Sequence, residues 1–167
     1  MNTLTTIGNK NSSITYADRP TVKVIVRNGH GKILLLNDGL LPGGGVERNE
    51  SNEQALGREV SEECGMTLKN ITPLGAVVQY RDYLAKRYIV YGYSADRDTT
   101  VTEANPQDIG EMNFEYQWLS TDAAIALVKK SIASLERVKV HDDTQQGPLY
   151  NRRTTLALLE QYKRSLS

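Results

Sequence analysis

The sequence predicts a single α/β domain in which helices pack on a mixed β-sheet, and three observations support this fold class. Segments with strand-like alternation precede and follow one central segment of helix-forming residues. Glycine and asparagine residues of the kind that form turns separate the strand segments. The length of 167 residues corresponds to about one domain, which is large enough to bury a core without disulfides.

Composition limits the classes of function. The 20 Lys and Arg residues equal the 20 Asp and Glu residues in number, so no net charge attracts nucleic acid or an anionic membrane. The single cysteine, Cys64, excludes a disulfide framework. No apolar run approaches the ~20 residues that span a bilayer, and residues 1–19 lack the apolar segment of a secretory signal. We therefore expect a soluble, cytoplasmic protein that does not associate with membranes.

The N-terminal part predicts a hairpin that follows an irregular segment. Residues 1–19 are rich in Asn, Ser and Thr, and we expect them to form a weakly ordered lead-in to a domain over 20–167. Valines at every second position then predict a strand that buries one face. The tetrapeptide Asn28–Gly31 is typical of a hairpin turn, and 32–37 forms the second strand. The glycine-rich stretch 40–46 predicts a loop.

The central helix is predicted over 50–64. Ser51 or Asn49 provides its N-cap, and Gly65 provides the left-handed residue that ends a helix. Residues one turn apart form an apolar stripe suited to packing on a sheet: Leu56, Val60 and Cys64.

The C-terminal part predicts further strands and two amphipathic helices. Strands over 71–79 and 87–95 form a second hairpin, and a polar loop over 97–110 follows. A short strand over 114–119 leads to Ser120, which caps the first of these helices. The predicted inner faces of the two helices are Ala123, Ala124, Leu127 and Val128 in the first, and Leu156, Leu159 and Tyr162 in the last, over 152–164.

Three glutamates share one face of the central helix. Glu59, Glu62 and Glu63 are spaced at i, i+3 and i+4, so their carboxylates repel one another by a few tenths of a kcal/mol per pair. Oxygen ligands without a nearby His or Cys favour Mg²⁺ or Mn²⁺ over zinc. A solvated acidic face is the alternative, but the side-chain-free loop Gly43–Gly45 in front of the helix favours a metal or phosphate site.

Glu50 and Arg58 lie where an ion pair could join this loop to the helix. An ordinary surface position is the alternative for Arg58.

These residues resemble the signature of the Nudix hydrolase family. The segment Gly44–Met66 matches all nine specified positions, a match expected on the order of 10⁻⁹ of the time at a given start. The resemblance implies an α/β/α sandwich built on a mixed sheet. The sequence Trp118-Leu119-Ser120, which leads from a late strand into a helix, is a further similarity to the family. The matched positions are Gly44, Glu50, Arg58, Glu59, Val60, Glu62, Glu63, Gly65 and Met66.

The resemblance implies hydrolysis of a nucleoside diphosphate linked to another group, in which a metal-activated water attacks phosphorus. Glu59 and Glu63 would be ligands of Mg²⁺ or Mn²⁺, and Glu62 would be a ligand or orient the water. The carbonyl of Gly43 would complete the metal site. The structural support implied by the family pattern comes from Gly44, Glu50, Arg58 and Gly65.

Several members of the family recruit another carboxylate from a later loop as a ligand or general base. Glu111 is the candidate in this chain, with Glu115 and Asp108 as rivals. For each of them, a solvated loop residue is the alternative.

The substrate is implied to be a small nucleotide, with Arg81 and Tyr83 as candidate contacts. Tyr83 lies seventeen residues after Met66, in the region where members that cleave dinucleoside polyphosphates often carry a tyrosine. A sanitising enzyme for damaged nucleoside triphosphates fits equally well. The resemblance also leaves a homodimer open.

Two other classes of function remain as alternatives. One is an RNA 5′-end pyrophosphohydrolase, although the eight Lys or Arg against four Asp or Glu over 129–164 make a weak basic surface. The other is a non-catalytic nucleotide-binding regulator, which would be expected to lose the carboxylates that this chain retains.

Overall fold

The computed structural model describes residues 1–100, 115–137 and 146–167. A single 3₁₀ turn, Asp82–Leu84, connects the fourth and fifth strands. The strands are β1 (Thr3–Ile7), β2 (Ala17–Arg27), β3 (Ile33–Leu36), β4 (Thr67–Arg81), β5 (Lys86–Asp98) and β6 (Tyr116–Leu119). The helices are α1 (Asn52–Cys64), α2 (Thr121–Arg137) and α3 (Gln146–Ser165).

The described strands form one mixed six-stranded sheet in the order β1-β4-β5-β2-β3-β6. β1 is parallel to β4, and β2 is parallel to β5. The pairs β4–β5, β2–β3 and β3–β6 are antiparallel. The predicted mixed sheet is therefore confirmed.

Each face of the sheet carries its own core. Val22 of β2 packs with Leu56 in the core beneath α1. Ile25, which points to the opposite face, lies in a second core with Val128 of α2 and Leu158 of α3. With α1 on one side and α2 and α3 on the other, the α/β/α sandwich is confirmed. None of the described helices combines the length and apolar character needed to cross a bilayer.

Both predicted hairpins are present. The side chain of Asn28 accepts hydrogen bonds from the backbone N–H groups of His30 and Lys32, each at 3.0 Å, and so closes the first turn. In the second hairpin, β4 and β5 extend beyond the predicted strands at both ends. The extra residues pair with each other, as Thr67 does with Asp98 and Arg81 does with Lys86, and β2 pairs with β5 from Lys86 onwards.

The N-terminal segment differs from the expected weakly ordered lead-in. Residues Thr3–Ile7 form the parallel edge strand β1, and β2 begins at Ala17. Ile7 is only 7% exposed and belongs to the core, while Leu4 lies directly over Gly75. Two apolar anchors among β-branched threonines are sufficient for an edge strand, although the overall composition of the segment is polar.

The last helix begins earlier than predicted. α3 starts at Gln146 and includes Pro148, which is tolerated because it lies in the first turn. Leu158 is fully buried, whereas Leu156, which we predicted for the inner stripe, is half-buried. In α2, Ala123 is exposed instead of facing the core.

Candidate active site

The glycine-rich loop between β3 and α1 is fixed to the sheet. The carbonyl of Gly44 accepts from the N–H of Val22 at 2.9 Å, and that of Pro42 accepts from Val24 at 3.1 Å. The loop therefore runs beside β2 like a short additional strand. This pairing holds its backbone groups at a defined distance from α1.

Two positions of the loop are glycine because atoms of β2 and α1 lie where a side chain would begin. Gly43 has a φ of +123°, and a Cβ at this position would also collide with the carbonyl of Val22. A Cβ on Gly44 would collide with the carboxylate of Glu59. A residue with a side chain would thus displace either β2 or the glutamate.

Helix α1 is capped at both ends, which fixes the position of its glutamates. The Ser51 hydroxyl accepts from the N–H of Gln54 at 3.2 Å, and the Gln54 side chain accepts from the N–H of Ser51 at 2.8 Å. This reciprocal capping box selects Ser51 over Asn49 as the N-cap. Gly65 adopts the left-handed conformation, with φ of +62°, and ends the helix.

Arg58 joins the loop to the helix. Its Nε and Nη2 donate to the carboxylate of Glu50 at 2.9 and 3.1 Å, and Nη2 also donates to the carbonyl of Gly45 at 3.0 Å. These bonds lower the pKa of Glu50 and raise that of Arg58. The structure thus contains the ion pair that the spacing of Glu50 and Arg58 predicts.

The three glutamates are neighbours, but different donors hold them. Arg58 Nη1 donates to Glu59 at 2.9 Å and to Glu62 at 3.3 Å. The carboxylate of Glu63 accepts from the N–H of Gly43 at 2.7 Å. The side chain of Glu59 is 15% exposed and that of Glu62 is 59% exposed. Across the described residues, no three His, Cys, Asp or Glu side chains converge closely enough to hold a metal ion as they stand.

Lys23 is a further member of the site. Its ammonium donates to the carbonyl of Leu41 at 2.9 Å and to that of Gly43. Burial lowers the pKa of Lys23, although the nearby Glu63 and Glu59 carboxylates oppose this shift. Burial raises the pKa of Glu63, and the charges of Glu59 and Glu62 raise it further, while Lys23 and the Gly43 N–H act in the opposite direction.

The donor set suits a hard divalent cation. The three carboxylates and the carbonyl of Gly43 are all oxygen donors, the type that Mg²⁺ and Mn²⁺ prefer. Their charges act on one another, since Glu59 and Glu62 both raise the pKa of Glu63. The missing side chain of Gly44 allows the Glu59 carboxylate to lie directly against the loop. The residues therefore fit such an ion in chemistry.

Other predicted residues lie elsewhere. Glu111 and its rival Asp108 are outside the described residues. Glu115 is exposed, and it is its backbone carbonyl that accepts from Asn37. Tyr83 is 63% exposed at the turn between β4 and β5. Arg81, in contrast, lines a cavity beside the glycine-rich loop.

The cavity has a volume of about 270 Å³ and lies between the sheet, α3 and the loop. Sequence reasoning missed most of its polar lining. The alternation along β2 could have indicated Arg19 and Lys23, because Val22 and Val24, on either side of Lys23, face the opposite core. No sequence signal pointed to Gln79 or Asn151, since only the packing of α3 brings them together. Representative lining residues are Arg19, Lys23, Gln79, Arg81, Tyr88 and Asn151.

Cys64 has no role in this chemistry. Its thiol is buried at the end of α1, and burial raises its pKa to about 12. The thiol stays protonated at neutral pH and is a poor nucleophile.

Comparison with known proteins adds sequence relatives. A family model described as the NUDIX domain matches residues 17–139. An RNA pyrophosphohydrolase of Hydrogenovibrio crunogenus is 33% identical over 81 residues, which cover 46% of this chain and 49% of that protein. An RNA pyrophosphohydrolase of Saccharophagus degradans is 28% identical over 126 residues, or 71% of this chain and 68% of that protein. The chain spans about half the length of the first of these relatives.

Solved structures show the same fold. A NUDIX hydrolase from Nitrosomonas europaea superimposes with a TM-score of 0.60 at 18% identity, covering 89% of this chain and 90% of that one. A MutT protein from Methanosarcina mazei Go1 gives a TM-score of 0.52 at 22% identity, covering 91% and 97%. At these identities the likeness concerns the architecture alone.

Proposed function

The chain belongs to the NUDIX domain family, and from this premise we propose that it is a divalent-metal-dependent hydrolase of phosphoanhydride bonds. Its substrate is a nucleoside diphosphate linked to another group. The bond between two phosphoryl groups is cleaved by attack of water on phosphorus.

The observation that carries this proposal is the joining of the carboxylates to a fixed loop beside a cationic cavity. Glu59 and Glu62 share one nitrogen of Arg58, and Glu63 is held by the N–H of Gly43. The cavity that adjoins this loop is lined by Lys23 and other cations. Acidic groups for a metal and basic groups for a phosphate chain therefore lie side by side.

Each residue has a defined part in the proposed site. Glu59, Glu62 and Glu63, with the carbonyl of Gly43, would hold Mg²⁺ or Mn²⁺. Such an ion, when bound, supplies an activated water and neutralises charge on the phosphoryl oxygens. The N–H of Gly43 orients Glu63. The Lys23 ammonium, fixed on backbone carbonyls, stabilises negative charge on a phosphoryl group in the adjoining cavity.

The remaining predicted residues keep their proposed roles to different extents. Glu111 remains our candidate for an additional ligand or general base. Arg81 is proposed as a substrate contact because it lines the cavity. Tyr83 is a weaker proposal, because its ring is exposed at a turn and is not among the residues that line this cavity.

A second candidate substrate is the 5′ end of RNA. The relatives named RNA pyrophosphohydrolases favour it, including the one from Saccharophagus degradans that covers 71% of this chain. The small volume of the cavity, about 270 Å³, favours a mononucleotide-sized group instead.

We also propose a cytoplasmic location and a homodimer, and sedimentation analysis tests the proposed homodimer.

A substrate screen tests the proposed function. The full chain is incubated with dinucleoside polyphosphates, ADP-ribose, nucleotide sugars and oxidised dNTPs, in Mg²⁺ or Mn²⁺, and the nucleotide products are separated and quantified by chromatography. We expect turnover of at least one class with metal and none after chelation. Turnover that persists in excess chelator would contradict the proposal, as would the absence of turnover on every compound.

A further inference from the structure

Arg81 is a half-buried cation in the wall of the cavity, and neutral groups hold it. Its Nε and Nη2 donate to the side-chain oxygen of Gln79 at 3.0 and 2.7 Å, and Nη2 also donates to that of Asn151 at 2.8 Å. The guanidinium lies over the ring of Tyr88, 4.3 Å from its centroid. Buried arginines are usually paired with carboxylates, because an uncompensated charge is costly to desolvate.

Gln79 is fixed so that its oxygen faces Arg81. The side chain is only 1% exposed, and its Nε2 donates to the hydroxyl of Thr154 on α3 at 2.6 Å. Arginine can only donate hydrogen bonds, so the amide must present its oxygen to the guanidinium. We refer to Gln79, Arg81 and Asn151 as the amide-held arginine clamp.

The clamp leaves the positive charge uncompensated. Burial lowers the pKa of Arg81, yet a guanidinium remains charged in proteins. Among the described residues that line this cavity, the charged ones are Arg19, Lys23 and Arg81, all cations. A carboxylate in place of either amide would have neutralised the guanidinium. The cavity therefore has the electrostatics of a site for an anion.

We propose that the amide-held arginine clamp binds a phosphate group that lies beyond the cleaved diphosphate bond, and that it selects substrates with a 5′-triphosphate over nucleotide sugars. This inference rests on the proposed function and narrows its substrate class. Arg81 contacts the substrate phosphate. Gln79 is a positioning residue that orients the guanidinium without cancelling its charge. A neutral sugar would leave the charge of Arg81 without a counter-charge, which disfavours it.

The test compares pairs of substrates that share a base and a diphosphate. The full chain with Mg²⁺ is assayed on ATP against ADP-glucose and on GTP against GDP-mannose, with kcat and KM measured separately. We expect the triphosphate to have the higher kcat/KM in each pair that is turned over. Arg81→Met should raise KM for the triphosphate at least about tenfold while KM for the sugar conjugate changes little. Arg81→Lys should restore part of the loss.

Gln79→Glu tests the positioning role through charge. The new carboxylate would neutralise Arg81, so KM should rise more for the triphosphate than for the sugar conjugate. Arg87→Met is the matched control. Arg87 lies on the same hairpin but is paired with Asp18 at the surface, so its replacement should leave both KM values unchanged. Thermal unfolding of each variant reports whether the fold is retained.

A third substrate, a short RNA with a 5′-triphosphate, decides whether the clamp binds RNA ends or free nucleotides. Faster turnover of the RNA than of the nucleotide assigns the clamp to RNA ends, and the reverse assigns it to free nucleotides. The inference is overturned if the sugar conjugates are preferred, or if Arg81→Met raises both KM values equally. Absence of turnover on any phosphoanhydride would instead overturn the proposed function, which distinguishes the two failures.

Discussion

At the scale of single residues, Glu63 and Lys23 contact the same residue of the glycine-rich loop. Glu63 accepts from the N–H of Gly43, and Lys23 donates to the carbonyl of the same residue. The N–H of Gly43 is thus held by a carboxylate, and the carbonyl of Gly43 is held by an ammonium. The spacing of the glutamates could be predicted from the sequence, whereas the participation of Lys23 depends on how the loop returns to β2.

Replacing Glu63 with Gln should abolish most of the turnover and leave the fold intact. We expect kcat to fall by more than the roughly 10–100-fold typical of an outer-shell partner, because the carboxylate is proposed to bind the metal directly. Steady-state kinetics and thermal unfolding measure the two effects. Glu53→Gln, an exposed change in the first turn of the same helix, is the control and should be silent. An active Glu63→Gln variant would remove the metal assignment.

Two glycines close to Arg58 should respond in opposite ways to alanine. Gly57 lies within α1, and a Cβ there would meet no atom within 4 Å, so packing against the sheet does not explain this glycine. Gly57→Ala should stabilise the protein by about 0.8–1 kcal/mol with unchanged turnover. Gly44→Ala should reduce turnover, because the methyl group would collide with the Glu59 carboxylate. Denaturant unfolding and an activity assay compare the pair, and a destabilised Gly57→Ala variant would contradict this account.

At the scale of elements, the sequence predicts features that neighbouring residues determine, but it does not predict features that depend on contacts between distant residues. The hairpin turn at Asn28 and the end of α1 at Gly65 are set by neighbouring residues, and both were predicted correctly. The strand β1 and the early start of α3 were not predicted. Each has contacts with distant parts of the chain, such as Leu4 with Gly75 and Asn151 with Arg81. The same limitation hid Gln79 and Asn151, whereas Arg81 was predicted as a substrate contact.

The strand β1 should contribute measurably to stability. Ile7→Ala removes a side chain that is 7% exposed in the core, and it should cost about 2–4 kcal/mol. Thr5→Ala, an exposed change in the same strand, should cost less than about 0.5 kcal/mol. Urea unfolding of both variants measures the difference. Equal stabilities would indicate that the N-terminal segment is not anchored in solution.

At the scale of the whole molecule, we expect the fold to form without a metal. One core lies beneath α1 and another beneath α2 and α3, and hydrogen bonds within the chain cap α1. The glutamates proposed as ligands lie beside the first core and contribute little to it. Metal removal is therefore expected to affect turnover far more than folding.

Divalent metal should stabilise the folded state only through binding. At a concentration of Mg²⁺ about 100 times its Kd, linkage predicts a gain of about 2.7 kcal/mol for one site. Thermal unfolding in Mg²⁺ against chelator should thus show an upward shift in wild type and a smaller one in Glu63→Gln. Circular dichroism should show the same secondary structure with and without metal. Collapse of the fold in chelator would contradict this view.

The shared contacts of Arg58 have a consequence for how an ion would enter. One guanidinium already compensates Glu50, Glu59 and Glu62 and also binds the carbonyl of Gly45. If these glutamates hold a divalent ion, as proposed, Arg58 supplies the counter-charge that keeps their side chains together before the ion binds. Binding then exchanges one counter-charge for another, so little reorganisation of the backbone is needed. Lysine could not substitute, because a single ammonium cannot match the planar fork of donors.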